Sequence, residues 1–559
     1  RTRLYDLNPP VPEPPVPRHL CLEVNTRRDS EGQLLTALTD QDIAIIKAQL
    51  AQLKPESVAI NLLFSFLNDS EEQRLEEALN EHYFTSRSSM VLPVYKEYER
   101  GIATWLNASL GPKVNAYLNR LAEALPPQHI TMMQSSGGTI PIVEASRRAV
   151  NLLLSGPAGG LAALRHFGRL IEHNKLISFD MGGTSTDVSL MDGDFKLSTE
   201  GRIAHWPIAV PMLEMDTIGA GGGSIAWLDE GGMIHVGPES AGSKPGPACY
   251  GLGGTQATVT DANLVLGHLQ CDDFLGGRMR LNLDLAKAAI APLAQAQNMG
   301  IEEMARGIIA VAEQEMAQAL HGISVKQGHD PRDFILCCFG GAGGLHICAL
   351  ADKLRISEAL VPVHGGVLSA FGMLCAPRQR YLTHSFLQIW ENTTVGQLES
   401  AMQQLEQATL DEFIAAGFPT KSILRERSLD MRFAGQSYTL SVPFSDHSED
   451  AFYEAHKKIY GHTLDTDVEV VNISSRMYVE SDVPSLDRLS LQSDATAYQW
   501  STMPFENTAV PIYRRTDLGL NSQIAGPALI TETVSTTWLA PSWTARVDHY
   551  GNLRLSRSE

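Results

Sequence analysis

The sequence predicts an α/β protein that ends in a mainly β region. Between residues 20 and 133, short apolar runs alternate with helical repeats, which is typical of strands joined by helices in a mostly parallel sheet. From residue 134 onward, the apolar runs are instead separated by glycine clusters, and after residue 377 helix signals become fewer. We therefore expect three parts: an α/β lobe with a proline-rich entry over 1–133, a glycine-loop lobe over 134–376, and a β-rich C-terminal domain over 377–559.

The first part begins with a connector and continues as alternating strands and helices. Six prolines within the first 17 residues favour an extended segment, because proline gives no amide hydrogen to a helix or a sheet. Thr39, followed three residues later by Asp42, predicts the capped start of a helix. The predicted elements are strands over 20–24, 57–64, 90–94 and 130–133, and helices over 39–53, 69–82 and 98–119.

Composition excludes several classes of protein. The 559 residues include 44 Lys and Arg against 64 Asp and Glu, and a net charge of −20 argues against a general nucleic-acid binder. No apolar run is long enough for a transmembrane helix, and no signal peptide opens the chain, so we expect a cytoplasmic protein. The seven cysteines form no C-x-x-C pair, which predicts neither a disulfide framework nor a zinc site. The chain begins at Arg1 rather than Met, so we expect a longer parent product.

The most informative motif is a β-hairpin predicted over 175–192. Its tip carries two glycines, whose bare backbone amides can approach an anion closely, and three hydroxyls that can donate to phosphate oxygens. The candidate residues are Asp180, Gly182, Gly183, Thr184, Ser185, Thr186 and Asp187. Asp180 ends the first strand, where it is placed to hold a hydrated Mg²⁺ or a water beside the phosphate. The alternative is a tight hairpin with polar turn residues; the spacing is not that of a P-loop.

A second glycine cluster lies between an apolar strand and a helix beginning near Leu345. A nucleotide can lie against bare backbone at such a turn, and the candidate residues are Gly340, Gly341, Ala342 and Gly343. The alternative is close packing of the helix on the strand. The spacing of a dinucleotide-binding fingerprint is not matched.

A third cluster contains Gly221 and Gly222 and leads into a hairpin that turns near residue 231. A long Gly/Pro segment follows, over 237–254, and such a segment is usually either a functional loop or disordered. Lys244, Tyr250, Asp261 and Asn263 favour the functional interpretation, and we expect Lys244, Asp261 and Asn263 to contact a substrate.

At these residues the sequence resembles the hydantoinase A/oxoprolinase family. The matching segments are DMGGTSTDVSL, TIGAGGGSIA, GPESAGSKPGPACYG with TVTDAN, GHDPRDF with FGGAG, LDMRFAGQSY and GPALITE. The resemblance implies a core of the actin-like, sugar-kinase and Hsp70-type ATPase fold, which is ribonuclease H-like, with a β-rich C-terminal domain. It also implies ATP and Mg²⁺ as cofactors, a small cyclic amide as substrate, and assembly with a hydantoinase B-type subunit.

The resemblance also gives roles to the glycine loops. The loop from Asp180 to Asp187 is implied to be the second phosphate motif, and Gly340 to Gly343 the adenosine motif. The first phosphate motif, which family members carry at their extreme N-terminus, is absent, so we expect the chain to lack the family's N-terminal segment. Asp180 with Mg²⁺ is expected to position the γ-phosphate, while Asp187 is more readily an anchor of the hairpin.

The implied reaction is ATP-dependent, ring-opening hydrolysis of a hydantoin or 5-oxoproline type amide, with this chain as the ATP-using subunit. Phosphorylation of the amide oxygen would activate an otherwise poor electrophile. Three alternatives stay open: a non-catalytic nucleotide-sensing or scaffold subunit, a ketone carboxylase subunit, and a small-molecule kinase of the same fold.

Overall fold

The computed structural model describes residues 14–126, 130–199, 201–203, 206–486, 488–489, 494–506 and 508–557, so most of the proline-rich entry lies outside the described residues. The helices are α1 Asp40–Leu53, α2 Ser70–Leu79, α3 Ser88–Val91, α4 Glu97–Ala124, α5 Ile142–Ala145, α6 Ser155–Leu170, α7 Val259–Val265, α8 Leu283–Ala296, α9 Ile301–Lys326, α10 Gly343–Leu354, α11 Leu368–Cys375, α12 Val395–Ala415 and α13 Ser448–Tyr460.

The strands of the first half of the chain are β1 Arg27–Arg28, β2 Leu34–Thr36, β3 Ser57–Ile60, β4 Phe84–Arg87, β5 Thr131–Met133, β6 Thr139–Pro141, β7 Lys175–Met181, β8 Thr186–Asp192, β9 Asp194–Phe195, β10 Leu197–Ser198, β11 Gly201–Ile203, β12 Trp206–Ile208, β13 Met212–Leu213, β14 Asp216–Ile218, β15 Ser224–Leu228 and β16 Ile234–Ser240. Those of the second half are β17 Ile335–Phe339, β18 Glu358–Val361, β19 Arg378–Ile389, β20 Leu424–Phe433, β21 Leu440–Pro443, β22 Val468–Val479, β23 Gln499–Ser501, β24 Val510–Arg514, β25 Gln523–Ala525, β26 Ala528–Thr531, β27 Thr536–Leu539, β28 Trp543–Val547 and β29 Leu553–Arg557.

The chain is a mixed α/β protein that divides into two compact units. Unit 1 comprises Arg1–Ser155, Leu197–Met212 and Pro377–Glu480; unit 2 comprises Gly156–Lys196, Leu213–Ala376 and Ser481–Glu559. These groups differ from the three consecutive parts expected from the sequence, because strand pairing joins distant segments. In unit 1, β19 lies parallel to β6, and in unit 2 β29 pairs with β18. The C-terminal part is therefore shared between the units rather than forming one β-rich domain.

Unit 1 is built on a six-stranded sheet in the order β21-β20-β22-β19-β6-β5. One face of this sheet packs its apolar side chains, such as Leu429 and Phe433, against Leu398 and Met402 of α12 and Phe452 of α13. The apolar residues that alternate along β20, Leu429, Met431 and Phe433, thus form the buried face of the strand.

The N-terminal region of unit 1 confirms some predicted elements and corrects others. The Thr39–Asp42 capping box is present at the start of α1. No strand forms over 20–24, and the strand predicted over 90–94 is wrong, because Met90 and Val91 belong to the short helix α3 and residues 92–94 form no strand. The strand that lies nearest to this segment is instead β4, which precedes α3 and pairs in parallel with β3. Its sequence FTSR has no apolar run to reveal it, and Arg87 is neutralised by Asp69 and Glu76.

Unit 2 contains a nine-stranded mixed sheet whose main path runs β14-β8-β7-β17-β18-β29-β28-β25. Strand β8 is antiparallel to both β7 and β14, whereas β17 is parallel to both β7 and β18. Every residue of β17 is buried, including Cys337 and Cys338, as its apolar run predicts. Within the described residues, no helix combines the length and the apolar character that a membrane crossing would require.

Candidate functional site

Three glycine segments meet at the tip of the β7–β8 hairpin in unit 2. The amide of Gly182 donates to the carbonyl of Ser185, which closes the tip. Gly222 donates to the carbonyl of Gly182 at 3.0 Å, so the loop after β14 lies directly on the tip. A Cβ on Gly221 would come within 2.7 Å of the backbone nitrogen of Ser185, and no other residue type can approach so closely.

The turn between β17 and α10 completes this arrangement. Ala342 donates its amide to the carbonyl of Met181 at 3.2 Å, which ties the turn to the end of β7. Gly340 has a φ of 79°, in the left-handed region, and a Cβ there would lie 2.4 Å from Oδ1 of Asp180. Gly343 begins α10, where a Cβ would meet the Cβ of Cys338 at 3.2 Å. Gly343 therefore serves the close packing of α10 on β17.

These loops border a cavity of about 170 Å³ in unit 2, which is open to solvent. Its lining residues are Gly182, Gly183, Gly222, Tyr250, Thr260, Asn263, Leu269, Gln270, Asp273, Phe274, Leu275, Gly341, Ala342, Leu345, Thr531, Glu532, Val534, Ser535 and Thr536. The predicted phosphate and adenosine segments and Asn263 thus contribute to one cavity.

Two carboxylates lie on the hairpin beneath the tip. The register of β7 and β8 places Asp180 opposite Asp187. Burial, and then the negative charge of Asp187, raise the pKa of Asp180 to about 6, against the lowering effect of a hydrogen bond from Ser369. Burial also raises the pKa of Asp187, whose Oδ1 accepts a hydrogen bond from Thr217 on the neighbouring strand β14. Asp187 is therefore tied to the sheet, as an anchor of the hairpin would be.

Hydroxyl groups at the tip differ in their surroundings. Thr184 is exposed and Ser185 is half-buried, so both can meet a ligand. Thr186 is completely buried, and its Oγ1 donates to the carbonyl of Ala220. The hydroxyl of Thr186 is thus engaged in holding the loop before Gly221 rather than facing the cavity.

The residues expected to contact a substrate are placed in three different ways. Lys244 is exposed and is not among the residues that line the cavity. Asp261 is fully buried, where it completes the capping box of α7 with Thr258 and accepts the backbone amides of Ala248 and Cys249. Its contacts are those of a structural residue. Asn263, two residues further along α7, lines the cavity.

Two lining segments, 269–275 and 531–536, were not predicted as site residues. The rings of Phe274 and Tyr250 pack with their centroids 5.7 Å apart, and burial raises the pKa of Tyr250 to about 12, so its phenol stays protonated. Asp273 accepts a hydrogen bond from the hydroxyl of Tyr498 at 2.6 Å. The sequence LQCDDFL, residues 269–275, carries no recognisable motif. GPALITE, which contains Glu532, belongs to the family resemblance, but its residue types alone do not indicate a place in the site.

Comparisons with known proteins identify the family of this chain. A family model described as hydantoinase/oxoprolinase matches residues 100–380. A second model, described as the hydantoinase/oxoprolinase N-terminal region, matches residues 1–83. The expectation that the chain lacks the family's N-terminal segment is corrected to this extent, because residues 1–83 match that region.

Relatives and a solved structure extend the similarity over almost all of the chain. Caprolactamase subunit alpha of Pseudomonas jessenii is 33% identical over 577 residues, which cover 97% of this chain and 82% of that protein. A 5-oxoprolinase of Pestalotiopsis fici is 30% identical over 581 residues, covering 98% of this chain but 45% of its own, so the chain spans about half of that relative. The crystal structure of ATP-dependent caprolactamase from Pseudomonas jessenii superposes with a TM-score of 0.87 at 31% identity, covering 99% of this chain and 84% of that one. The sequence motifs, the matches to two family models and the similarity to these relatives agree. The chain belongs to the hydantoinase/oxoprolinase family.

Proposed function

We propose that this chain is the ATP-using subunit of an enzyme that opens a cyclic amide of the hydantoin or 5-oxoproline type by hydrolysis. The observation that carries this proposal is the cavity of unit 2, where bare backbone from three glycine loops meets the first turn of α10. Exposed backbone amides and the positive end of a helix suit a polyphosphate. The superposed relative is an ATP-dependent caprolactamase, and this similarity supports a nucleotide and a cyclic amide as ligands.

The sheet of unit 2 supports an actin-like, ribonuclease H-like core. Its first five strands lie in the order β14-β8-β7-β17-β18, two antiparallel pairings followed by two parallel ones. A hairpin tip at one end of β7 and a strand-to-helix turn after β17 then face the same cavity. In this proposal the hairpin tip holds phosphates, and the turn at Gly341 and Ala342 lies against the nucleoside.

The residues present fit a magnesium ion that keeps most of its own water. The described residues contain no group of three or more His, Cys, Asp and Glu that could hold a metal by themselves. Mg²⁺ in nucleotide enzymes is usually held by one or two carboxylates together with phosphate oxygens. Asp180 is the carboxylate that would hold it, and burial together with the negative charge of Asp187 raises the pKa of Asp180. The bound ion would supply charge neutralisation for the phosphates.

The chemistry follows from the poor reactivity of an unstrained amide. Transfer of the γ-phosphoryl group to the amide oxygen breaks the bond to ADP and leaves a carbon with a good leaving group attached. Water then adds to that carbon and the ring C–N bond breaks, so that the nitrogen takes a proton and leaves as the amine while an acyl phosphate remains. A second water hydrolyses the acyl phosphate to the carboxylate and inorganic phosphate. Thr184, Ser185 and the amide of Gly183 would hold the phosphate oxygens while charge moves between them.

A second, hydantoinase B-type subunit is part of this proposal. The Pseudomonas jessenii relative is named a subunit, which supports a division of labour between chains. The decisive experiment measures ADP release and ring-opened product from the same reaction, with hydantoin, 5-oxoproline and caprolactam as substrates, with and without a co-expressed partner subunit. Equal amounts of ADP and ring-opened acid are expected. A stable phosphorylated product would instead indicate a kinase, and ATP binding without turnover under any condition would indicate a scaffold.

A further inference from the structure

Asn263 has an amide orientation that its hydrogen bonds determine. The side chain lies on the cavity wall with 1% of its surface exposed. Its Nδ2 lies 3.2 Å from the carbonyl of Val259, and since a carbonyl can only accept, the NH₂ group must face it. The Oδ1 atom therefore faces Nδ1 of His268, at 3.2 Å, and this nitrogen must carry the hydrogen.

One donor remains after these bonds are assigned. The amide of Asn263 has two hydrogens on Nδ2, and the carbonyl of Val259 takes one of them. The second hydrogen is available to a group in the cavity. A buried donor without a hydrogen-bond partner costs free energy. A ligand that places an acceptor atom there therefore gains both affinity and a defined orientation.

His268 is held in the state that this arrangement needs. Its ring stacks on Trp538 with the centroids 4.6 Å apart and the planes 21° from parallel. Burial, and then the neighbouring His346, lower the pKa of His268 to about 3, so the imidazole is neutral and Nδ1 keeps its single hydrogen across the physiological range. His346 is itself fully buried and directs Nδ1 to Glu313 at 3.3 Å. The ring thus has a defined position and a defined tautomer.

We propose that His268 is a positioning residue for nucleotide binding, whose Nδ1–H fixes the side chain of Asn263 so that its free Nδ2 hydrogen donates to an acceptor atom of the bound nucleotide. This inference rests on the function proposed above, which assigns a nucleotide to the cavity. His268 is not among the residues that line the cavity, so its effect passes through Asn263. If His268 had only a structural role, its contribution would come from stacking on Trp538 and not from its hydrogen bond to Asn263.

The test compares variants that keep or remove the donor. His268→Phe keeps an aromatic ring for Trp538 but has no N–H, and His268→Met is a second variant without a donor. His268→Gln retains an amide donor that can reach Asn263. Titration calorimetry with a non-hydrolysable ATP analogue is expected to show roughly tenfold weaker binding for the Phe and Met variants, and recovery to within about threefold of the wild type for Gln.

A double-mutant cycle separates positioning from structure. Asn263→Ala alone is expected to weaken binding by roughly tenfold, and adding His268→Phe should cause no further loss, because the two residues act as one unit. His235→Phe is the matched control, since His235 also stacks on a tryptophan, Trp227, with centroids 4.7 Å apart, but lies outside the cavity lining. Measured melting temperatures establish which of the variants are folded.

The outcomes are distinct. Multiplicative losses in the double variant, no recovery with Gln, or unchanged binding in folded Phe and Met variants would overturn the inference while leaving nucleotide binding intact. A wild-type chain that binds no ATP analogue would overturn the proposed function, and the inference with it. If the Phe variant fails to fold, the comparison of Met with Gln decides the question.

Discussion

Gly340 and Asp180 are in such close contact that the glycine has no room for a side chain. A Cβ on Gly340 would lie 2.4 Å from Oδ1 of Asp180 and 2.4 Å from the carbonyl oxygen of Met181. The first of these atoms is the carboxylate that we assign to the magnesium-bound phosphate, and the second accepts the amide of Ala342. The turn after β17 and the end of β7 are thus fitted to each other beside the cavity of unit 2.

Gly340→Ala should therefore damage the site more than it damages the fold. We expect ATP-dependent turnover to fall by more than roughly tenfold, because either Asp180 or the turn must move, and a displacement of this size misaligns reacting groups. Gly193→Ala is the matched control: Gly193 has the same φ of 79°, but a Cβ there would meet nothing within 4 Å. Both variants carry the cost of a left-handed alanine, so equal losses of turnover in the two would contradict this prediction.

Asp180→Asn should abolish turnover but stabilise the unliganded protein at neutral pH. The carboxyl has a pKa of about 6 in the folded chain against 3.8 ordinarily, so ionisation opposes folding as the pH rises between these values. The amide removes that cost, and we expect the free energy of unfolding to increase by about 3 kcal/mol at pH 7. Below about pH 4 both side chains are neutral, and the advantage should vanish. Denaturation at pH 7 and pH 4 measures both effects; a variant that is less stable at pH 7 would refute the prediction.

Asp261→Ala should destabilise the protein. The carboxylate accepts hydrogen bonds from the backbone amides of Ala248, Cys249 and Thr258 and from the hydroxyl of Thr258, all from a fully buried position. Leaving these donors unpaired should lower the free energy of unfolding by about 3 kcal/mol. Asp284→Ala is the control, because Asp284 is an exposed acidic residue in the first turn of α8. A melting temperature equal to that of the control would show that Asp261 is free to serve a substrate.

Arg427→Met should lower the free energy of unfolding more than the replacement of both members of the Arg427–Glu406 ion pair does. Glu406 is 3% exposed and accepts two hydrogen bonds of 2.7 Å from Arg427. Burial alone would raise the pKa of Glu406, but the hydrogen bonds from Arg427 and Ser475 prevail and lower the pKa. Removing the arginine leaves a buried charge, which typically costs about 3–5 kcal/mol, whereas an apolar pair is often nearly neutral. Chemical denaturation should therefore rank Arg427→Met below Glu406→Met/Arg427→Met; the reverse order would contradict this account.

Local chemistry in the sequence was sufficient to predict the hairpin over 175–192 and the turn after β17. Both carry glycines whose spacing has a direct geometrical meaning, and Asn263 was selected for its place in the same set of motifs. Asp261 shows the limit of this reasoning. A carboxylate three residues after Thr258 is equally a helix cap and a ligand, and only the contacts with Ala248 and Cys249 show which it is.

The remaining wall of the cavity could not be predicted because it depends on long-range pairing. Thr531 and Thr536 end and begin two strands, β26 and β27, that are antiparallel neighbours. Nothing in their local sequence indicates that Gly344 of α10 will lie against Thr536, where a Cβ would be 2.6 Å from its carbonyl oxygen. The same applies to β28 and β29, which read as part of a separate β domain until their pairing with β18 places them in the central sheet.

The pairing of β29 with β18 also sets an order of events in the life of the protein. Unit 2 is assembled from three separated stretches, and the last of them, Ser481–Glu559, supplies both the outer strands of its sheet and one wall of the cavity. During synthesis the glycine loops emerge from the ribosome long before that wall exists. Domains that fold as they are made do so from the N-terminus, but here the cavity is completed only after residues 481–559 have been synthesised. An incomplete chain therefore exposes the loops without the complete cavity.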